Sequence, residues 1–338
     1  MEYAETKKSH RKGVNNMKEF RFGIIGAAKI GAKFCDAVSK VPGVTVAAVS
    51  SKSLARAEEF AKANGVPAFY DSYEEMLQKE ELDGVYIDTT NNFHYENMLL
   101  AIEYGKPFLC EKAFTLTKAQ AEDVFAKAKE KGVFGMEAMW SRYLPAVQKA
   151  KAWIREGRIG EIALANYQFC FVSGNDPEHR LNAPSLGGGA NRDIGVYAFE
   201  IMDYLIDQPL LEAKTMQSRF DFGSDSSDGM LLRYQKAIAT TQVSFLSVAP
   251  EIGWFCGDRG SIQLLRGHGG GGAILYGKDR AEVERFAGDP NENGFVYEIR
   301  DFVESVRAGK LESDIIPHAD TLRCMELFDL CDREYEVK

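Results

Sequence analysis

A short apolar stretch, followed at once by a glycine-rich turn and an amphipathic segment, limits the possible folds of this chain more than any other feature. Residues 20–25 have the composition of a buried strand, and after the turn Ile30, Phe34, Val38 and Val41 recur at helical spacing. A strand, a tight turn and a helix in this order begin a βαβ unit. We therefore expect an α/β domain here.

The same alternation of strand and helix continues for about a hundred residues. Further buried strands are predicted at 44–49, 84–87, 107–110 and 133–136. Capping boxes mark two of the intervening helix starts, Ser72 with Glu75 and Thr117 with Gln120. Regular alternation requires right-handed crossovers, so it predicts a doubly wound parallel sheet for residues 19–140.

The second half of the chain follows a different pattern. Strands rich in aromatic and β-branched residues are predicted at 162–172, 214–222, 230–234, 237–247 and 262–265. Helical patterns occupy 194–206, 295–308 and 319–332. This order predicts an α+β domain, residues 141–338, with a large, mainly antiparallel sheet and its helices on one face. The other face would expose apolar surface, so we expect a second copy of the chain to cover it in a homodimer or larger homo-oligomer.

The overall composition excludes several classes of protein. The 338 residues include 41 Lys and Arg against 50 Asp and Glu, a net charge of −9, so the positive excess of a nucleic-acid-binding protein is missing. No apolar run approaches the roughly 20 residues that span a bilayer. The six cysteines and five histidines show no metal-ligand spacing. We expect a cytoplasmic protein with no metal and no membrane segment, and a disordered polar arm over residues 1–18.

The glycine-rich turn is the first motif with a chemical meaning. It consists of Gly26, Ala27, Ala28, Lys29, Ile30 and Gly31. These residues fit the G-x-G-x-x-G pattern with alanine in the middle position, and the helix N-terminus after the turn can hold a pyrophosphate. Because the turn follows the first strand of a βαβ series, a Rossmann domain that binds NAD or NADP is favoured over a purely structural turn.

The residues after the second predicted strand distinguish NAD from NADP. An NAD site usually places Asp or Glu here for the ribose hydroxyls, but this chain has Ser51, Lys52 and, one helical turn later, Arg56. A hydroxyl and two cations fit a 2′-phosphate, so we expect these residues to favour NADP. The alternative is that Lys52 and Arg56 are solvated surface charges.

Three polar residues follow the buried strand 84–87 at the carboxyl edge of the predicted sheet. They are Thr89, Asn91 and His94. Ligands of open α/β sheets bind at this edge, so we expect all three to contact the cofactor. For His94, capping of the following helix is the alternative.

Several separated motifs together resemble the Gfo/Idh/MocA oxidoreductases over residues 20–338. They lie at 23–31, 89–94, 105–113, 136–143, 187–190 and 193–197. The motifs from residue 136 onward resemble the branch that contains dihydrodiol dehydrogenase and NADP-dependent D-xylose dehydrogenase. The resemblance implies a Rossmann domain, an α+β substrate domain and NAD(P)-dependent chemistry on hydroxyl groups.

The resemblance also implies roles for residues that match the family's motifs. In the family's E-K-P motif the lysine lies beside the nicotinamide and the substrate hydroxyl, which implies cofactor contacts for Glu111 and Lys112, with Ala113 in place of the proline. Asp193 and Tyr197 match the D-x-G-x-H/Y motif. We expect Tyr197 to be the immediate acid/base, Lys112 its electrostatic partner, and Asp193 to orient substrate hydroxyls.

Oxidation of a hydroxyl group sends hydride to the nicotinamide while the hydroxyl proton passes to a base. Burial can lower the pKa of Lys112, and a neighbouring ammonium can lower that of Tyr197. We therefore expect both pKa values to shift toward the working pH.

Two further segments have weaker signals. Trp140, Arg142 and Tyr143 fall where the two domains should meet, so they can form an aromatic wall with a polar anchor for the substrate, although interdomain packing is the alternative. The glycine-rich run 267–272 lacks a strand-to-helix setting, and we interpret it as a hairpin connection without chemistry.

The sequence thus predicts an NADP-preferring oxidoreductase that acts on a sugar, a cyclic polyol or a diol, or on the corresponding carbonyl. The alternative is a nucleotide-sensing regulatory protein with the same fold and no catalysis. The presence of Lys112, Asp193 and Tyr197 favours an enzyme.

Overall fold

The structure, a computed structural model, describes residues 18–289 and 291–336. The predicted disordered arm lies outside the described residues except for Lys18, whose ammonium is 3.4 Å from the carboxylate of Asp83. Within the described ranges no helix is both long and apolar enough to cross a membrane.

The first half of the chain forms a parallel sheet with helices between its strands. The strands are β1 (Phe20–Ile25), β2 (Val44–Ser50), β3 (Ala68–Tyr70), β4 (Gly84–Ile87), β5 (Phe108–Cys110) and β6 (Gly135–Glu137). The helices are α1 (Lys29–Ser39), α2 (Leu54–Asn64), α3 (Tyr73–Lys79), α4 (His94–Glu103) and α5 (Lys118–Lys131). The strand order is β3-β2-β1-β4-β5-β6. The predicted doubly wound sheet is confirmed, and β3 is an edge strand that the sequence patterns missed.

Local sequence signals begin and end these helices. Ser72 Oγ accepts the backbone N–H of Glu75 at 3.2 Å, and Thr117 Oγ1 accepts that of Gln120 at 3.3 Å. Gly132 ends α5 with a left-handed φ of 66°. The predicted caps therefore form, and they determine where α3 and α5 begin.

The second half forms an eight-stranded sheet. Its strands are β7 (Ile162–Cys170), β8 (Leu210–Arg219), β9 (Asp225–Tyr234), β10 (Ile238–Ser244), β11 (Ala249–Gly257), β12 (Gly260–Leu265), β13 (Gly272–Gly277) and β14 (Glu282–Ala287). The order is β14-β13-β12-β11-β7-β10-β9-β8. The pair β7 and β10 is parallel, whereas the other neighbouring pairs are antiparallel. This confirms the large, mainly antiparallel sheet.

One of the four remaining helices lies elsewhere than predicted. They are α6 (Pro145–Arg155), α7 (Val196–Ile206), α8 (Phe295–Arg307) and α9 (His318–Glu336). Phe302 of α8 packs on Phe20, Phe22 and Phe134, with ring centroids 6.1, 5.3 and 5.2 Å apart. Phe20 and Phe22 lie on β1 and Phe134 directly precedes β6, so the prediction that α8 covers the second sheet is wrong. An amphipathic pattern shows that a helix has an apolar face, but not which sheet that face covers.

The helix α9 links the two halves. The ring of His318 stacks on Phe125 of α5 at 3.8 Å between centroids, and Cys331 Sγ lies 3.7 Å from Thr215 Oγ1 on β8. The carboxyl ends of β1, β4 and β5 thereby face the second sheet across a cleft. Open α/β sheets bind their ligands at this edge.

Candidate active site

A cavity of about 720 Å³ fills the cleft between the two sheets. Its wall on the side of the parallel sheet includes Ala28, Lys29, Ile30, Thr89, Asn91, Glu111 and Lys112. Its opposite wall includes Phe169, Phe171, Asp193, Tyr197 and His268. Segments far apart in the sequence thus line one cavity.

Lys112, Asp193 and Tyr197 meet on the wall of this cavity. Lys112 Nζ donates to the backbone carbonyl of Asp193 at 2.6 Å and pairs with its Oδ1 at 2.9 Å. The same Nζ lies 4.8 Å from the ring centroid of Tyr197. Trp140 Nε1 donates to Tyr197 Oη at 3.1 Å. An ammonium and a phenol therefore lie together on the cavity wall, each held by a polar partner.

The local fold explains why these groups converge. Lys112 follows the end of β5, and its peptide bond to Ala113 is cis. Asp193 belongs to a π-helical turn, residues 191–195, that leads directly into α7, and Tyr197 lies in the first turn of α7. The end of one strand and the start of one helix therefore present all three groups across the cleft.

The charges in this cluster correct the expected pKa values. Burial alone would lower the pKa of Lys112, but the adjacent Asp193 carboxylate and Tyr197 outweigh burial, so the pKa lies above its usual value. Burial raises the pKa of Tyr197 to about 12, although the Lys112 ammonium opposes the shift. The expectation that both pKa values fall toward the working pH is wrong, because it omitted the Asp193 carboxylate. Both groups hold their protons at neutral pH.

Asp88 lies beneath the glycine-rich turn. Its Oδ2 accepts the backbone N–H of Ala28 at 3.1 Å. A Cβ atom at Gly26, where φ is +123°, would lie 1.8 Å from Oδ1, and one at Gly31 would lie 2.3 Å from Oδ2. Both glycines are therefore required so that the turn can wrap around this carboxyl group. Burial raises the pKa of Asp88 to about 8.

The region predicted to hold the 2′-phosphate lies at the end of β2. Ser51 is buried, while the exposed ammonium of Lys52 lies 4.3 Å from the ring centroid of Phe93. Arg56 lies in the first turn of α2, and its backbone N–H donates to Ser53 Oγ at 3.5 Å. The buried Ser50 Oγ has no hydrogen-bond partner in the described part of the chain. A hydroxyl group and two cationic side chains fit a phosphorylated ribose.

The structure contradicts the cofactor contact predicted for His94. This side chain is fully buried outside the cavity, and its Nδ1 and Nε2 each lie 2.9 Å from a backbone carbonyl, of Ala113 and Thr89 respectively. His94 is also the first residue of α4. Both ring nitrogens have the polar partners that a buried imidazole needs. Through these contacts His94 connects the turn after Lys112 to the end of β4.

The structure also contradicts the substrate contact predicted for Arg142. Its side chain is fully buried, 2.5 Å from Glu200 and 2.6 Å from Asp320, and it does not line the cavity. Its neighbour Tyr143 is likewise buried and donates to Asp301 at 2.8 Å. Trp140 alone of this segment reaches the cavity. Arg142 and Tyr143 therefore fit the alternative interpretation, in which they pack between the two domains and do not contact the substrate.

Several residues of the site gave no sequence signal that we used. They include Asp88, Phe169, Phe171, Arg180 and His268. Arg180 lies 3.7 Å from Asp193 Oδ1, and it adds to the positive charge that holds the pKa of Asp193 below its usual value against the effect of burial. An acidic residue directly after the buried strand β4 was the signal for Asp88.

The described ranges contain no group of three or more His, Cys, Asp or Glu side chains arranged to hold a metal ion. The titratable groups of the cavity pair with one another instead, as Lys112 does with Asp193.

Two family descriptions match the chain. Residues 20–138 match an oxidoreductase family with an NAD-binding Rossmann fold, and residues 147–263 match the C-terminal domain of the Gfo/Idh/MocA proteins. The fold and the cavity thus define an oxidoreductase of the NAD(P)-binding class. The chain belongs to the Gfo/Idh/MocA family, as the motifs indicated.

Two curated relatives resemble nearly the whole chain. A trans-1,2-dihydrobenzene-1,2-diol dehydrogenase from Xenopus tropicalis is 29% identical over 318 residues, covering 91% of this chain and 96% of the relative. A D-xylose 1-dehydrogenase (NADP(+)) from Hypocrea jecorina is 29% identical over 365 residues, covering 93% and 91%. Both are of the branch that the later motifs resemble.

Solved structures share the fold. An aldose-aldose oxidoreductase from Caulobacter crescentus, in complex with glycerol, has a TM-score of 0.85 at 19% identity and covers 94% of this chain and 97% of its own. A variant 3-ketoreductase from Actinomadura kijaniata, in complex with TDP-benzene and NADP, has a TM-score of 0.82 at 25% identity and covers 94% and 98%.

Proposed function

We propose that the protein is an NADP-preferring oxidoreductase that oxidises a hydroxyl group of a sugar, cyclic polyol or diol, or reduces the corresponding carbonyl. The observation that carries this proposal is the convergence of Lys112, Asp193 and Tyr197 with the glycine-rich turn on one cavity. The names of the relatives specify a diol and D-xylose as substrates. The rings of Trp140 and Phe169 add flat apolar surface that suits a cyclic substrate.

The residues at the glycine-rich end would hold the dinucleotide. A nicotinamide dinucleotide supplies the hydride acceptor or donor when bound. The backbone N–H groups of Lys29 and Ile30, at the start of α1, would bind its pyrophosphate. Ser51, Lys52 and Arg56 would bind the 2′-phosphate, and Glu111, which accepts a hydrogen bond from Tyr86 at 2.5 Å, would line the nicotinamide end together with Lys112.

The proposed proton-transfer unit is Tyr197 with Lys112. Because Trp140 Nε1 donates to Tyr197 Oη, the phenol proton remains free to point at a substrate oxygen. In the reductive direction Tyr197 gives this proton to the carbonyl oxygen. The Lys112 ammonium stabilises negative charge that develops on the substrate or phenol oxygen, and Asp193 fixes the ammonium in position.

A spectrophotometric screen of pentoses, hexoses and cyclic diols with NADP and NAD tests the proposal, with the Lys112→Ala protein as blank. We expect turnover of at least one polyol well above the blank. Tight nucleotide binding without turnover of any polyol or carbonyl compound would instead support the nucleotide-sensing regulatory protein.

The double substitution Lys52→Ala with Arg56→Ala is expected to lower the ratio of kcat/KM for NADP to that for NAD about 10- to 100-fold, because each cation loses a charge-assisted contact to the 2′-phosphate. Lys62→Ala is the matched control, since this lysine of the same helix pairs with Glu58 at 2.7 Å. An unchanged ratio in the double variant would refute the assignment of these cations.

The two reaction directions are expected to differ in pH dependence. Burial raises the pKa of Tyr197 to about 12, so the protonated acid for reduction is fully present from pH 6 to 9. Oxidation needs the deprotonated base, whose fraction grows about tenfold per pH unit below the pKa. At saturating cofactor, kcat/KM for oxidation should therefore rise steeply over this range while that for reduction stays flat. A bell-shaped oxidation profile centred near pH 7 would contradict this assignment.

We further propose that two chains associate through the exposed face of the second sheet. Leu164, Leu231 and Ile238 are 52, 49 and 39% exposed there, and Ile238 lies opposite Leu164 in the pairing of β10 with β7. Contiguous apolar surface of this kind is typical of homodimer interfaces. Sedimentation should give twice the chain mass, and Leu164→Arg with Ile238→Arg should give the monomer mass.

The cysteines support a cytoplasmic location. Six are free, and they include the buried Cys110, Cys324 and Cys331. Unpaired thiols persist in a reducing compartment, so recovery of the native protein in the cytosolic fraction of its cells is the expected result.

A further inference from the structure

A glutamate and a histidine form a hydrogen-bonded pair on the cavity wall, outside the proposed proton-transfer unit. His268 belongs to the glycine-rich connection between β12 and β13, and its side chain lines the cavity. Its Nδ1 contacts Glu251 Oε2, and its backbone N–H donates to Glu251 Oε1 at 2.8 Å. One carboxylate therefore fixes both the backbone and the ring of His268.

The carboxylate is itself held in place. Glu251 is 8% exposed, and its Oε1 also accepts the hydroxyl proton of Tyr167, which is buried on β7. Because Nδ1 is hydrogen-bonded to this carboxylate, Nε2 is the ring nitrogen that can hydrogen-bond a ligand. Among the residues that the structure describes, none forms a hydrogen bond with His268 Nε2. The pair thus offers one oriented and unused polar atom.

Aromatic neighbours place this atom beside the proton-transfer unit. The His268 ring stacks on Phe169 with 4.3 Å between centroids, and it lies 5.2 Å from the ring of Tyr197 and 6.3 Å from that of Trp140. The rings of His268 and Tyr197 therefore lie side by side on the cavity wall, so a substrate that reaches the Tyr197 hydroxyl also lies close to His268.

We propose that His268 is a specificity-determining residue that hydrogen-bonds a second hydroxyl of the substrate through Nε2, while Glu251 positions its ring. This inference rests on the proposed function and narrows its substrate class to polyols with a second hydroxyl group near the reacting carbon. Simple secondary alcohols leave Nε2 without a partner, and a site built to bind a hydroxyl strongly rejects an analogue without it.

The test compares wild type and His268→Ala on the best cyclic polyol of the screen and on its single-deoxy analogues. In wild type, one analogue should lose about 100-fold or more in kcat/KM. In His268→Ala the parent polyol should lose a similar factor, mainly through a higher KM, while that one analogue loses less than about threefold. Glu251→Gln should show the same pattern with a smaller effect, because its amide oxygen still accepts one N–H group.

Two further variants separate recognition from damage to the fold. His268→Gln offers an amide near the position of Nε2 and should restore part of the discrimination. Glu282→Gln, at an exposed glutamate of β14 that pairs with Arg285, is the control and should match wild type. NADP affinity should be equal in all variants.

Equal losses in His268→Ala for the parent and for every deoxy analogue would overturn the role of His268. If wild type turns over no polyol, the proposed function fails. Calorimetry then compares the binding of each cyclic polyol of the screen, and of its single-deoxy analogues, to the NADP complexes of wild type and His268→Ala. Indistinguishable binding by wild type and His268→Ala would then overturn the inference separately.

Discussion

Replacing Lys112 with alanine is expected to lower kcat about 10³-fold in either direction while the Kd for NADP changes less than about threefold. The ammonium lies between Asp193 and the ring of Tyr197, where charge develops only during the reaction. The proposed phosphate contacts come from other residues, at the start of α1 and at the end of β2, so nucleotide binding retains most of its free energy. Initial rates from the absorbance of reduced cofactor and a fluorescence titration measure the two effects.

Tyr197→Phe is the companion variant, because it removes only the hydroxyl that accepts from Trp140 and carries the proposed proton. We expect a loss of about 10²- to 10³-fold in kcat. Lys106→Ala is the matched lysine control, since Lys106 donates to the Leu82 carbonyl at 2.9 Å, away from the cavity. If kcat of both Lys112→Ala and Tyr197→Phe stays within tenfold of wild type, the assignment of proton transfer to these residues is wrong.

The parts of the structure with short-range causes could be predicted from sequence. The cap at Ser72, the left-handed glycine at 132 and the apolar period of α1 depend on residues within one or two turns. The glycine-rich turn and the end of β5 were found for the same reason, since each motif is contiguous. These local signals sufficed to predict a doubly wound parallel sheet, although the short edge strand β3 was missed.

Residues whose partners are distant in sequence could not be placed in this way. The sequence predicts that Arg142 anchors the substrate. Its partners are instead Glu200 and Asp320, which belong to helices far along the chain. The sequence predicts that His268 belongs to a hairpin connection, and it does. However, its ring is hydrogen-bonded to Glu251 on a neighbouring strand and lines the cavity. The same absence of long-range information caused the error about the pKa of Lys112, because the Asp193 carboxylate belongs to the turn before α7, about 80 residues along the chain.

Asp88→Asn is expected to stabilise the protein increasingly as the pH rises from about 5 to 8. Burial raises the pKa of Asp88 to about 8, Glu111 adds to the shift, and the N–H groups of Ala28 and Gly31 and the Arg56 charge oppose it. In the unfolded chain an aspartate has a pKa near ~3.9. The folded state therefore holds one more proton between these values, and its stability falls through this range as the pH rises.

The asparagine variant has no such proton, so the difference in unfolding free energy between it and wild type should grow by about 1.4 kcal/mol per pH unit and level off above pH 8. Urea unfolding at pH 5.5, 6.5, 7.5 and 9 measures this difference. Asp88→Ala removes the same charge, but it also removes the acceptor for the Ala28 N–H, and it should follow the same pH slope from a lower starting stability. Parallel curves for wild type and both variants would show that the carboxyl is already ionised beneath the turn.

In the expected case, a proposed pyrophosphate bound to this turn adds negative charge beside Asp88. NADP should therefore bind wild type more weakly above pH 8, and it should bind Asp88→Asn equally well at every pH.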